Sequence, residues 1–165
     1  MDICAAAVFR RAVFPRAVFQ SGVPRRTLTT GLWVALACWA AGVLWLSSLT
    51  PQEMPDAALV FVDKINHFLA YAVGGWLAAS ALRLSRPLSP VPGSIALAVV
   101  IVAVFGVADE AVQAFTPGRT GGDLYDWIAD LIGAAAGALL SVLTSARLNR
   151  MVSRGTGPPA RPQTG

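Results

Sequence analysis

The chain has 165 residues, of which 55% are hydrophobic and only 13% charged, and its mean hydropathy is +0.60. Soluble domains carry about 25% charged residues, so this composition excludes an ordinary soluble domain and points to one small membrane domain. The net charge of +4 is concentrated as arginine at the two ends, and two cysteines make no disulfide framework. A nucleic-acid partner is therefore not expected, because no soluble basic fold is visible to present that charge.

Residues 1–30 form a basic arm in which Ala-Val-Phe recurs at Ala7, Ala12 and Ala17 between Arg10, Arg11 and Arg16. Pro15 and Pro24 interrupt any helix, and a five-residue repeat fits no helix face. The arm is expected to be disordered; the alternative is an amphipathic segment on the membrane surface. Arg25-Arg26 before an apolar run suits an uncleaved signal-anchor better than a cleaved leader.

The first expected span covers residues 31–49, has no charge, and carries Trp33 and Trp45 near its ends, where indoles favour the interface. Cys38 lies within it and is expected to be buried as a small hydrophobe. Thr50-Pro51 ends the span, and the following loop holds Glu53 and Asp56 with no basic residue. The second span, 63–82, places Asp63, His67 and Tyr71 four residues apart, with Lys64 and Asn66 alongside, which gives its first half a polar face. Gly74-Gly75 then permits close helix approach. The next loop carries Arg83 and Arg86, three prolines and no acid.

The third span, 94–115, is apolar until Asp109, Glu110 and Gln113, which share one side of its end. Pro117-Gly118 is a turn signal and would bring the fourth span, 124–146, back alongside. Asp123, Asp126, Asp130, Gly133 and Gly137 step by three and four there, acidic first and small further in. Asp123 is placed to cap this helix, and Gly133-x-x-x-Gly137 reads as helix packing. Trp76 and Trp127 read as ordinary interface aromatics. Residues 147–165 form a basic tail expected to be disordered.

The arginines lie in the arm, the middle loop and the tail, so the positive-inside rule gives an all-α integral membrane protein of four transmembrane helices with both termini cytoplasmic. Topology then gathers Asp63, Lys64, His67, Tyr71, Asp109, Glu110, Gln113, Arg119, Asp126 and Asp130 on the outer side as one ligand-binding cluster. An intramembrane charge costs about 2.5–3.5 kcal/mol on insertion scales, so such a cluster implies a function. Carboxylates crowded in low dielectric cannot all ionise cheaply. The remedies are a retained proton, ion pairs to Lys64 and Arg119, or a bound cation. His67, Glu110, Asp126 and Asp130 are the candidates for general acid–base work. Arg119 after the turn suits a phosphate or carboxylate. No metal motif of fixed spacing occurs and no cofactor is implied.

Two blocks carry a family resemblance: Asp63-Lys64-x-x-His67-Phe68-x-x-Tyr71, and Asp109-Glu110-x-x-Gln113-x-Phe115-x-Pro117-Gly118-Arg119 followed by the acidic, glycine-containing stripe. Together, over about residues 32–143, they resemble the VanZ-like membrane proteins, with one departure at Asp130, where the family pattern often has asparagine. The resemblance implies a multi-pass protein of the bacterial cytoplasmic (inner) membrane with a role in the cell envelope and in resistance to glycopeptides such as teicoplanin. The expected partners are membrane lipids and a lipid-linked or cell-wall precursor. Two other readings stand beside it: a structural or interaction subunit locked by the cluster, and a small ion- or proton-coupled transporter. Neither oligomeric state nor catalysis follows from the sequence.

Overall fold

A computed structural model describes residues 23–54 and 63–153. Four helices follow in order: α1 (Arg25–Ser47), α2 (Asp63–Ser85), α3 (Val91–Phe115) and α4 (Leu124–Ser153). No strand occurs among the described residues, and all four helices are long and apolar enough to cross a membrane.

The helix ends depart from the apolar runs. α1 begins at Arg25 rather than Gly31, behind Pro24, so the last residues of the expected arm are helical. α3 begins at Val91 with a proline in its first turn, where the missing N–H costs nothing. α4 runs through Arg147 and Arg150 to Ser153, into the segment expected to be a disordered tail. Hydropathy marks how much of a helix lipid favours, whereas backbone hydrogen bonding continues until a breaker intervenes. Residues 1–22, 55–62 and 154–165, which include most of the expected arm and the end of the tail, lie outside the described residues.

α2 is the most buried of the four helices, and its interface with α4 is the largest in the bundle. Glycine makes that approach possible. A Cβ on Gly133 would run into the Phe68 carbonyl, and one on Gly137 would run into the Ala72 carbonyl. From the other side, a Cβ on Gly75 would strike the Ala134 carbonyl. The Gly133/Gly137 pair is therefore a packing device, as its spacing predicts. Below the polar end the buried apolar residues are mostly small: Ala78, Ala79, Leu82, Ala98, Val102, Ala134 and Ala138 pack together.

Indoles tie the helices at part-buried positions. Trp39 Nε1 donates to the Ala70 carbonyl at 2.9 Å, Trp76 Nε1 to Thr144 Oγ1 at 2.9 Å, and Trp127 Nε1 to the Ala103 carbonyl at 3.1 Å. Trp76 and Trp127 are thus interhelical ties rather than plain interface aromatics, since an indole N–H in hydrocarbon needs an acceptor from a neighbouring helix. Trp45 is exposed near the end of α1, as expected. Cys38 is exposed as well, not buried, because its face of α1 has no helix against it. Val34, Val73, Val100, Val104, Val107, Ile132, Leu139 and Leu143 face outward. An apolar girdle of this kind suits lipid and would be a liability in water.

Candidate functional site

One end of the bundle collects the polar side chains. α1 ends there with Ser47, and α2 starts there with Lys64, His67 and Tyr71. α3 ends there with Asp109, Glu110 and Gln113, and α4 starts there with Asp126 and Asp130. Residues 116–123 join the last two helices in a compact loop. Thr116 Oγ1 shares its one proton between the Ser47 carbonyl at 3.0 Å and the Val112 carbonyl at 2.9 Å. Gly118 and Gly122 take φ of 78° and 75°, which side-chain-bearing residues rarely adopt.

The carboxylates are buried to an unusual degree: Asp130 is 0% exposed, Asp109 1%, Asp126 2% and Glu110 6%. Each meets a different environment. Asp109 accepts from Ser47 Oγ on α1, from Tyr71 Oη on α2 at 3.0 Å, and at a longer 3.4 Å from Gln113 Nε2. Three helices therefore converge on this one side chain. Tyr71 in turn meets Trp39 edge-on, with ring centroids 5.5 Å apart, and contacts Phe105. Its ring also stacks on His67 at 17° between planes.

Asp130 Oδ1 lies 2.9 Å from His67 Nδ1. The contact joins α2 to α4, and either a neutral or a charged imidazole can make it by donating from Nδ1 to a carboxylate. Asp126 Oδ1 accepts from Lys64 Nζ at 2.7 Å, and Lys64 also reaches Asp123 Oδ2 at 3.1 Å. Glu110 Oε2 accepts the Asp123 backbone N–H at 3.0 Å. Two buried carboxylate oxygens, Glu110 Oε1 and Asp130 Oδ2, have no hydrogen-bond partner.

Asp123 caps α4 as its position predicts, accepting the Tyr125 N–H on Oδ1 at 2.8 Å. That backbone bond, with Lys64 beside it, holds the Asp123 carboxyl below its ordinary value. Glu53, in the loop after α1, is lowered too, by the Thr50 hydroxyl and N–H.

Beside the cluster lies a cavity of about 490 Å³. Its apolar wall comes from Val43, Leu46, Pro51, Met54 and Ala70, and its polar wall from His67, Tyr71, Asp109, Gln113 and Arg119.

The structure brings together Lys64, His67, Tyr71, Asp109, Glu110, Gln113, Asp126 and Asp130. Arg119 lies beside them, and the ion pair to the acids that its charge suggests is not among the described contacts. Its Nη2 donates to Gln113 Oε1 at 2.9 Å, and among the described residues it forms no ion pair. The ion pairs among the described residues are Lys64 with Asp123 and Asp126; His67 and Asp130 form one only when the imidazole is protonated. A guanidinium follows hydrogen-bond geometry as well as charge, and here it takes the amide oxygen of Gln113. The side chain of Asp63 lies outside the described residues.

Sequence reasoning missed Ser47, Thr116 and the Asp123 amide. Ser47-Ser48 at the end of an uncharged helix was the available signal for the first. Metal-ligating atoms also converge. One atom each from His67, Asp109 and Asp130, and likewise from His67, Glu110 and Asp126, lie within 4.8 Å of one another.

Compared with known proteins, the chain matches the family model described as VanZ/LLP1 over residues 32–145. No curated protein and no solved structure shows a significant match.

Proposed function

The chain belongs to the VanZ/LLP1 family, and from that premise we propose that it binds the polar head of a cell-envelope component in the cavity beside the acid cluster. The ligand class is a membrane lipid or a lipid-linked cell-wall precursor. The polar end of the bundle faces outward from the bacterial cytoplasmic membrane. Binding there underlies tolerance of glycopeptides of the teicoplanin type.

The observation that carries this reading is the two-sided cavity. A ligand with both a chain and a head needs an apolar wall continuous with lipid and a polar wall that fixes the head. Val43, Leu46 and Met54 supply the first, and Tyr71, Gln113 and Arg119 supply the second. Half-buried Arg119, positioned by Gln113 rather than neutralised by an acid, keeps its charge for an anionic head. Toward the other end the buried apolar residues are alanine with Leu82 and Val102, and the buried polar groups described there are serines, with Arg83 half-buried on the Ser141 carbonyl. The buried carboxylates and His67 all lie at the polar end, which speaks for binding at that face.

The test is teicoplanin susceptibility of cells expressing the chain against cells expressing Arg119→Ala, with membrane levels matched. Arg119→Ala should remove the protection while leaving detergent-solubilised stability near that of the parent. Protection unchanged in Arg119→Ala would refute the reading. The interlocking of helices through Asp109 favours the structural-subunit alternative, which instead requires Arg119→Ala to lose stability and protection together.

A further inference from the structure

We propose that His67, Glu110 and Asp126 form a binding site for a divalent first-row transition cation, Mn²⁺ or Zn²⁺, with Asp130 orienting His67. The site is separate from the lipid-binding reading and stands or falls without it.

Three observations carry it. The first is convergence: one ligand atom from each of the three residues lies within 4.8 Å of the others, although they come from α2, α3 and α4. Ligands at about 2.0–2.2 Å from a metal sit about 3–4 Å apart, so a small inward movement completes the arrangement. The second is an unanswered polar demand. Glu110 is 6% exposed, its Oε2 is held by the Asp123 amide, and its Oε1 has no donor at all. A buried carboxylate oxygen without a partner is costly, and a cation answers it directly.

The third is the hydrogen bond behind the imidazole. Asp130 Oδ1 lies 2.9 Å from His67 Nδ1. A carboxylate behind a histidine is the usual support for a metal-ligating imidazole, fixing its tautomer and raising its basicity. Nε2 then ligates without disturbing that bond.

The alternative triad of His67, Asp109 and Asp130 is weaker. Asp109 is already supplied by Ser47, Tyr71 and Gln113, and Asp130 is already joined to His67. The charge balance agrees. Lys64 offsets Asp126, but no lysine or arginine meets Glu110 or Asp130 among the described residues. One imidazole nitrogen with two carboxylates selects Mn²⁺ or Zn²⁺ over magnesium or calcium, which prefer oxygen alone.

The experiment uses the full chain, purified in detergent, stripped with chelator and titrated with MnCl₂ or ZnCl₂ while bound metal is counted. The expected result is one saturable equivalent per chain. Affinity should fall by about tenfold or more in Glu110→Gln and in His67→Gln and stay unchanged in Glu53→Gln, a surface control. Absence of a saturable equivalent in the parent chain overturns the proposal whatever the variants do. So does equal affinity in parent and Glu110→Gln, a near-isosteric change whose folding is checked by circular dichroism. Loss of metal with teicoplanin protection retained would uphold the cation site and count against its use in that phenotype.

Discussion

Tyr71→Phe tests whether Asp109 is the point at which three helices are fastened. The phenol is 1% exposed, and its hydroxyl sits 3.0 Å from Asp109 Oδ2. Phenylalanine keeps the ring against Trp39 and Phe105, so packing should change little and the lost hydrogen bond should dominate. Hydrogen bonds to charged groups contribute about 1.5–3 kcal/mol. Interhelical bonds measured in a membrane protein average about 0.6 kcal/mol and reach about 1.7. Between these two ranges, the expected loss is about 1–2 kcal/mol. The assay is unfolding of the purified chain in denaturing detergent, followed by tryptophan fluorescence. A double-mutant cycle with Asp109→Asn isolates the bond. In the Asp109→Asn background the same Tyr71 change should cost less, giving a coupling of about 1 kcal/mol. Coupling below about 0.3 kcal/mol would refute the claim that the phenol supports the carboxylate.

Gly137→Ala forces a methyl into the Ala72 carbonyl and should destabilise by about 1–3 kcal/mol in the same assay, the range for overpacking; Gly42→Ala, with nothing within 4 Å of its Cβ, should show no loss. Asp123 has a lowered pKa in the folded chain, so its stabilisation is fully present above the unfolded value of about 3.9 and disappears as pH falls through the lower folded value. Asp123→Asn retains a capping side chain and should make the stability curve shallower below about pH 4, measured by detergent unfolding across pH. In a Cys38→Ser, Cys4→Ser background, Thr120→Cys should react with an impermeant thiol reagent added outside intact cells, and Leu88→Cys only after lysis. Labelling of both from the same side would remove the proposed orientation.

The helices are legible in the sequence because each has an uninterrupted apolar stretch. Their ends are less so, since Arg25 and Arg147 lower hydropathy without breaking hydrogen bonds: α1 starts at Arg25 and α4 runs past Arg147. The acidic cluster is legible for a different reason. His67, Asp109 and Asp126 are distant in the chain, but alternation of spans sends all three to the same end. Finer pairing is not legible. Arg119 reads as a partner for acids on charge alone, while the structure gives it Gln113. Ser47 is one hydroxyl in an apolar helix, and only the fold shows that it donates to Asp109. The Asp123 amide holding Glu110 is a backbone group, invisible to any reading of side-chain types.

Why a small bundle tolerates so many buried carboxylates follows from where its stability lies. Leaving a buried acceptor without a donor costs about 1–3 kcal/mol, more for a charged group, and Glu110 Oε1 and Asp130 Oδ2 have none. The opposing contribution is the α2–α4 contact, where glycines let carbonyls and alanines meet at close range, and it lies along the helices below the polar end. If the acids existed only to lock the helices, apolar replacements at Glu110 and Asp130 would serve better, because apolar substitution of a buried ionic set is often neutral or stabilising. Glu110→Gln should therefore be at least as stable as the parent in metal-free detergent while lacking the cation. A loss of stability above about 2 kcal/mol in Glu110→Gln, measured in chelator, would return the cluster to a purely structural role.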